Sequence, residues 1–134
     1  MKDITIIYKE KFQSMIKLID EGKFSSCDSI SSDLLKIAWT LDLKEEVLIC
    51  ELFEGVFEQA QEPMDNFVMP AEDNKKMREE LSKHMKNFIL YYTAKKKEEL
   101  FNSLIEIRYV VTNYQYIARQ SYEVKPPEHV FRSR

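Results

Sequence analysis

The chain has 134 residues, of which 44% are hydrophobic and 32% charged, a balance that excludes an intrinsically disordered chain and suits one globular domain. Its two glycines and four prolines are too few for the many tight turns of a β-rich protein, so we expect an all-α fold. The formal net charge of −3 is unlike the basic charge of nucleic-acid-binding domains, and the longest apolar run, Phe88 to Tyr92, is far shorter than the roughly 18 residues that span a bilayer.

The first half of the chain predicts three helices. Over residues 3–21, apolar residues recur at three- and four-residue spacing, and Gly22 follows where a helix end needs a left-handed residue. Residues 25–32 are rich in serine, and short polar side chains of this kind cap helix starts, so we expect a connector there. A second helix is predicted over about 30–42, and a third over about 44–61 after a tight turn.

The second half of the chain predicts two longer helices. Residues 62–70 contain two prolines and form the predicted loop, and a fourth helix follows over about 71–92. Residues 93–97 predict a turn, although helices four and five could also fuse into one rod; the rarity of such long helices in small domains favours the turn. The fifth helix is predicted over about 96–122, and residues 123–134 are expected to form an extended tail because two prolines forbid further helix.

Together these elements predict an all-α, single-domain antiparallel helical bundle of about five helices over residues 1–122. Residues 1–67 hold 7 basic and 14 acidic side chains, whereas residues 68–134 hold 13 and 9. The two halves could pack against each other within one chain, or copies could associate head to tail; packing within the chain is favoured because it needs no second event. No targeting segment is visible and the two cysteines form no CxxC pair, so we expect a cytoplasmic protein.

The fifth helix is apolar over a wide arc. Beside its principal stripe runs a second one that contains Phe101, Tyr109 and Tyr116, and Trp39 on the flank of helix two is a further candidate. Tyrosine and tryptophan are frequent at interfaces because they bury a large area and keep a polar group available. We therefore predict that these four residues contact another protein. The alternative is that the arc belongs to the core of a five-helix domain.

The third helix carries acidic residues on one side. Glu51, Glu54, Glu58 and Glu62 follow one another at spacings of three, four and four residues, and Gly55 lies in the same arc. Glycine inside a helix costs roughly 1 kcal/mol against alanine and leaves the backbone bare. The pattern suggests an acidic notch that receives a cation, a basic partner or another helix. The alternative is a solvated face whose glycine lets a neighbouring helix approach closely.

Sequence motifs for catalysis are scarce. With only two glycines, neither a Walker loop nor a dinucleotide fingerprint can form, and no histidine pair has zinc-hydrolase spacing, so we expect no metal and no cofactor. Five residues separate Arg78 from His84, which matches the Arg-x(4–6)-His spacing of HEPN ribonucleases, themselves small helical bundles. Members of that family usually have a polar residue such as Asn after the arginine, whereas Glu79 stands here.

These observations lead to a ranked pair of functional hypotheses. The first is a non-enzymatic protein-interaction or regulatory module that associates with itself or with another protein, without membrane insertion and without a nucleic-acid surface. The second is an enzyme or metal protein: either a HEPN-like ribonuclease in which Arg78 and His84 are catalytic, or a bundle that binds a metal through Glu51, Glu54 and Glu58.

Overall fold

The computed structural model describes the backbone of residues 3–61 and 69–124, and the side chains of these segments as far as residue 116. Over that part of the chain it contains five α-helices and no strand, which confirms the predicted all-α bundle. None of the helices described there combines the length and the apolar character that crossing a membrane requires. In chain order the helices are α1 Ile4–Asp20, α2 Phe24–Thr40, α3 Lys44–Gln61, α4 Ala71–Ala94 and α5 Lys97–Val124.

The five helices pack side by side as a closed ring, in the order α1, α2, α3, α5, α4 and back to α1. Contacts at the two ends of the bundle give the direction of α4. At one end, Ser82 of α4 donates a hydrogen bond to Asp20 at the end of α1, and at the other end Tyr92, near the end of α4, lies beside Thr5 near the start of α1. The two helices therefore run antiparallel, and the chain reverses direction from each helix to the next.

An odd number of alternating helices cannot close a ring through antiparallel neighbours alone, so one neighbouring pair has to be parallel. That pair is α3 and α5. Near the start of both helices, Glu45 and Lys97 form an ion pair of 3.8 Å, and further along Nε2 of Gln115 donates a hydrogen bond of 2.6 Å to the backbone carbonyl of Gln59. We call this parallel interface the α3–α5 seam.

Aromatic side chains from three helices fill the centre of the helical bundle. The ring of Phe12 contacts the rings of Phe53, Phe88 and Tyr92 at centroid distances of 5.6, 5.1 and 5.3 Å, with the edge-to-face geometry that aromatic pairs prefer. Tyr8 is also fully buried, and its hydroxyl donates a hydrogen bond of 2.6 Å to a backbone carbonyl of α2. The core is therefore closed and its buried hydroxyl is satisfied.

Three tight turns between helices share one left-handed geometry. Gly22, Asp42 and Lys95 have φ angles of 74°, 55° and 58°. In each turn the N–H of the following residue donates a hydrogen bond of 2.8–3.0 Å to the carbonyl five residues earlier, which is the Schellman ending of a helix. The turn at Lys95 separates α4 from α5, so the predicted turn is confirmed and the fused rod is excluded.

The predicted start of the second helix near residue 30 is wrong. Because α2 begins at Phe24, the serine-rich residues 25–32 lie inside the helix and form no connector. Phe24 and Cys27 are buried and extend its apolar face toward the N-terminus, while the buried hydroxyl of Ser31 donates to the carbonyl of Cys27 at 3.0 Å. A serine hydroxyl can find a hydrogen-bond partner inside a helix as well as at a helix cap. The serine-rich pattern therefore does not by itself indicate a connector.

Some sequence predictions fall outside the described residues. These are the loop over 62–68, including Glu62 of the acidic series, and the tail over 125–134. The backbone of α5 is helical to Val124, so the predicted boundary at residue 122 is two residues early.

Candidate interaction surface

The outward face of α5 carries a line of large apolar side chains. Ile105, Tyr109 and Tyr116 are 56%, 66% and 59% exposed, and their spacing of four and seven residues places them on one side of the helix. The opposite side, which includes Leu104 and Ile107, is buried in the bundle. The alternative in which the two tyrosines belong to the core is therefore wrong. We call this line the α5 stripe.

The other two predicted contact residues lie elsewhere. Phe101 is half-buried and packs against the core from the side of α5. Trp39 is 63% exposed, but it lies on α2, and α2 does not neighbour α5 in the ring. The four residues that the sequence grouped together therefore do not form one continuous patch.

A shallow groove follows the α3–α5 seam beside the α5 stripe. It contains a hollow of about 370 Å³ that is lined by Leu52, Gly55 and Val56, with the polar side chains of Glu51, Gln59 and Arg108 at its rim. One turn before Leu52 on α3 stands Leu48, which is 58% exposed. The groove is thus apolar along its floor and polar along its edges.

Only part of the predicted acidic notch exists. Glu51 and Gly55 line the hollow of the seam, whereas Glu54 points the other way, toward α2, and accepts a hydrogen bond from the hydroxyl of Ser32. The charge of Glu58 also acts on Asp28 of α2, although the side chain of Glu58 is itself exposed. No atom of a neighbouring element lies within 4 Å of the position that a Cβ on Gly55 would occupy, so this glycine does not serve close helix packing either.

The carboxylates between α2 and α3 repel one another. Burial raises the pKa of Asp28, and the charges of Glu58 and Glu54 raise it further. The Oδ1 atom of Asp28 is buried and has no hydrogen-bond partner among the described atoms. Even so, within the described ranges no group of three or more His, Cys, Asp or Glu side chains is arranged to hold a metal ion.

A second hollow, of about 290 Å³, lies between α4 and α5 and contains His84, Glu106 and Tyr109. At its edge the hydroxyl of Tyr114 donates a hydrogen bond to Glu80, and this bond is the main reason that the pKa of Tyr114 is raised to about 12. The α5 stripe therefore has a hollow on each side, one toward α3 and one toward α4.

The structure does not bring Arg78 and His84 together. Nε of Arg78 donates a hydrogen bond of 2.8 Å to Oδ1 of Asn74, and its Nη1 donates to the backbone carbonyl of Asp20 at the end of α1. Six residues later, about one and two-thirds turns along the helix, His84 faces α5. Arg78 thus satisfies a terminal carbonyl of α1, a structural role that the motif spacing did not suggest.

The two thiols are placed in the core. Cys27 and Cys50 are free and fully buried, and burial raises the pKa of each to about 12. Because the thiolate is the nucleophilic form, neither side chain is suited to covalent catalysis at neutral pH.

Sequence reasoning missed the exposed Leu48 and the groove beside it. A leucine outside the periodic apolar face of helix three was the available signal, but its meaning depends on which helix lies next to α3. Comparison of the chain with protein-family models, with curated proteins and with solved structures gives no match.

Proposed function

We propose that this protein is a non-enzymatic interaction module that associates with a second copy of itself through the α5 stripe. One observation carries the proposal: Ile105, Tyr109 and Tyr116 lie in one line on one helix, and each of these residues is more than half exposed. Burying the exposed part of one tyrosine removes roughly 100 Å² from water, which is worth about 2.5 kcal/mol at 25 cal/mol/Å². Several such side chains on one face can stabilise an interface.

The polar residues along the stripe support this proposal. Asn102, Thr112 and Asn113 are exposed on the same face and are uncharged, whereas the charged Glu106 and Arg108 lie at its two edges, in the flanking hollows. A centre that is poor in charge and rich in aromatic residues is typical of protein interfaces, whereas a surface for nucleic acid would be basic. Association with another protein therefore fits this face better than binding to a nucleic acid.

The cysteines support a cytoplasmic location as part of the proposal. Cys27 and Cys50 are both free thiols, and a reducing compartment keeps thiols in this state. Because both thiols are buried, they are also kept away from oxidants and from the thiols of a second copy of the chain.

The proposal is tested by native mass spectrometry and by light scattering on purified protein. We expect a dimer for the natural sequence and a folded monomer for Tyr109→Glu, because a charge at the centre of the stripe has to be desolvated on association. A matched control is Ile6→Glu on α1, where Ile6 is 47% exposed and α1 does not contact α5. The control should remain dimeric. A natural protein that is monomeric at all concentrations, or a Tyr109→Glu variant that still dimerises, would refute the proposal.

A further inference from the structure

The interior of α3 contains a glycine that the fold itself does not use. Gly55 lies in the middle of the helix, where glycine is less stable than alanine. Glycine is tolerated at such positions when another helix approaches closely, but here no atom lies within 4 Å of the Cβ position. The missing side chain therefore leaves a notch that is open to the outside.

The notch has the chemistry of a tyrosine pocket. Its floor consists of Leu52 and Val56, which can contact an aromatic ring, and its rim offers Glu51 and Gln59 as acceptors and Arg108 as a donor to a phenol hydroxyl. A tyrosine buries its ring best where its hydroxyl finds a polar partner. The exposed Tyr109 of the same face is such a side chain.

Gly55 and Tyr109 lie at the same height along the bundle. Because α3 and α5 are parallel, residues at equal height differ by a nearly constant number: the ion pair at the start of the seam gives 52, and the hydrogen bond of 3.4 Å between Thr112 and Gln59 gives 53. The bond from Gln115 to the carbonyl of Gln59 gives 56, because the long side chain of Gln115 tilts toward the N-terminus. Gly55 is therefore level with residues 107–108. Helical side chains tilt toward the N-terminus, so the ring of Tyr109 reaches this level.

We propose that two copies associate about a two-fold axis parallel to their helices, so that Tyr109 of each copy enters the Gly55 notch of the other. Such an axis preserves height and places α5 of one copy over the α3–α5 seam of the other. Ile105 then covers Leu48 and Leu52, which accounts for the exposure of Leu48. The inference rests on the proposed self-association and specifies its geometry.

The charges on either side of the seam agree with this axis. The hydrogen bond between Tyr114 and Glu80 gives the relative height of the antiparallel helices α4 and α5, and it places Lys83 level with Val111. With the offset of 53 between α3 and α5, Val111 is level with Glu58. Both charged side chains are exposed. In the proposed dimer α3 of one copy lies near α4 of the other. Glu58 of one copy therefore comes close to Lys83 of the other copy, which lies at the same height.

The other symmetric arrangement is electrostatically unfavourable. An axis perpendicular to the helices would place α3 against α3 and α4 against α4. It would then bring the acidic side chains of the two α3 helices, Glu51 and Glu58, close to one another, and likewise Lys83 and Lys86 of the two α4 helices, all of which are exposed. Like charges across an interface oppose association, so the charge pattern selects the parallel axis.

The available area is of the same order as that of a stable dimer interface. The eighteen residues of α3 run beside α5 for about 27 Å, and two adjacent helices present a face about 20 Å wide. The product is roughly 540 Å² in projection, and the accessible area of a ridged surface is larger. This approaches the roughly 800 Å² per partner of a standard interface.

The decisive variant is Gly55→Leu, because it fills the notch without disturbing the monomer. The space around the Cβ position is empty, so the folded chain accepts the leucine, whereas Tyr109 of the second copy no longer enters. We expect the dimer dissociation constant to rise by about tenfold or more, with unchanged helicity. Ser14→Leu, the same side chain on the exposed side of α1, should leave the dissociation constant unchanged.

A charge exchange between copies tests the orientation. Glu58→Lys and Lys83→Glu should each weaken the homodimer, on the order of tenfold at low salt. An equal mixture of the two variants should form mixed dimers in excess over both homodimers, since both contacts then join opposite charges. Within one chain α3 and α4 do not contact each other, so such rescue can arise only between copies.

The outcomes separate the geometry from the function. If the natural protein dimerises and Tyr109→Glu abolishes the dimer, but Gly55→Leu does not weaken it or the mixture shows no excess of mixed dimers, the proposed axis is wrong and self-association through the α5 stripe stands. If the natural protein is a monomer, both proposals are wrong.

Discussion

The two glycines of this chain should respond in opposite directions to the same substitution. Gly55→Ala adds a Cβ in the middle of α3 that meets no atom within 4 Å, so only the helix propensity changes. Alanine is favoured over glycine there by about 1 kcal/mol. At Gly22 the φ angle is 74°, a left-handed conformation that costs a residue with a Cβ roughly 1–2 kcal/mol.

These free energies convert into melting temperatures. At about 2.1 cal/mol/K per residue, 134 residues give an unfolding entropy of about 0.28 kcal/mol/K. Gly55→Ala should therefore raise the melting temperature by about 3–4 °C, and Gly22→Ala should lower it by about 4–7 °C. The nearest atoms to a Cβ on Gly22 belong to Arg78 at 3.6 Å or more, so the loss reflects the backbone conformation and not a clash.

The measurement is thermal unfolding followed by circular dichroism at 222 nm, with both substitutions made in the Tyr109→Glu variant. That background keeps association from contributing to the melting temperature. A Gly55→Ala chain that melts lower than its parent would refute the reasoning, because it would mean that the backbone at Gly55 is in contact with another element of the same chain. Gly22→Ala without any loss would refute the left-handed turn after α1.

Three further predictions concern the core, a helix end and the thiols. Phe12→Ala should cost about 3–5 kcal/mol in urea unfolding, since Phe12 contacts aromatic rings of three helices; a loss below 1 kcal/mol would contradict the central position of Phe12. Arg78→Met should cost about 1–3 kcal/mol, because the carbonyl at the end of α1 loses a charged donor; Lys75→Met on the exposed side of α4 should cost little. Cys27 and Cys50 have pKa values raised from 9.0 to about 12, so their contribution to stability is complete below pH 9 and is lost as pH rises toward 12, which unfolding at pH 8, 9.5 and 10.5 would detect. Stability that stays constant or increases over that interval would contradict the burial of the thiols.

The sequence predicts the helices well where one pattern decides them. α1 was expected over residues 3–21 and is found over Ile4–Asp20, because an apolar face and a left-handed glycine mark both its course and its end. The start of α2 was misplaced, because serine suits a cap and also a helix interior where its hydroxyl bonds to a preceding carbonyl. Only the burial of Phe24 distinguishes the two, and burial depends on the neighbouring helices.

The candidate site was predictable only in part, for a related reason. Helical spacing placed Tyr109 and Tyr116 on one face, and both are exposed there, but the same spacing grouped Phe101 with them, and that side chain turns toward the core. The acidic residues of α3 share a side in the sequence, yet Glu51 lines the seam with α5 while Glu54 binds a serine of α2. Which helix flanks each side of α3 is set by the order of the ring, and this order is not encoded in the local pattern.

The parallel α3–α5 seam also has a consequence for how the chain folds. Hairpins such as α2–α3 and α4–α5 join helices that follow each other directly in sequence, whereas the seam joins residues more than fifty positions apart, such as Gln59 and Gln115. Closing a long loop costs more entropy and slows the formation of distant contacts. We therefore expect the helical hairpins to form first and the contacts of the α3–α5 seam to form late. The face proposed to meet a second copy exists only after that step, so assembly follows folding and does not guide it.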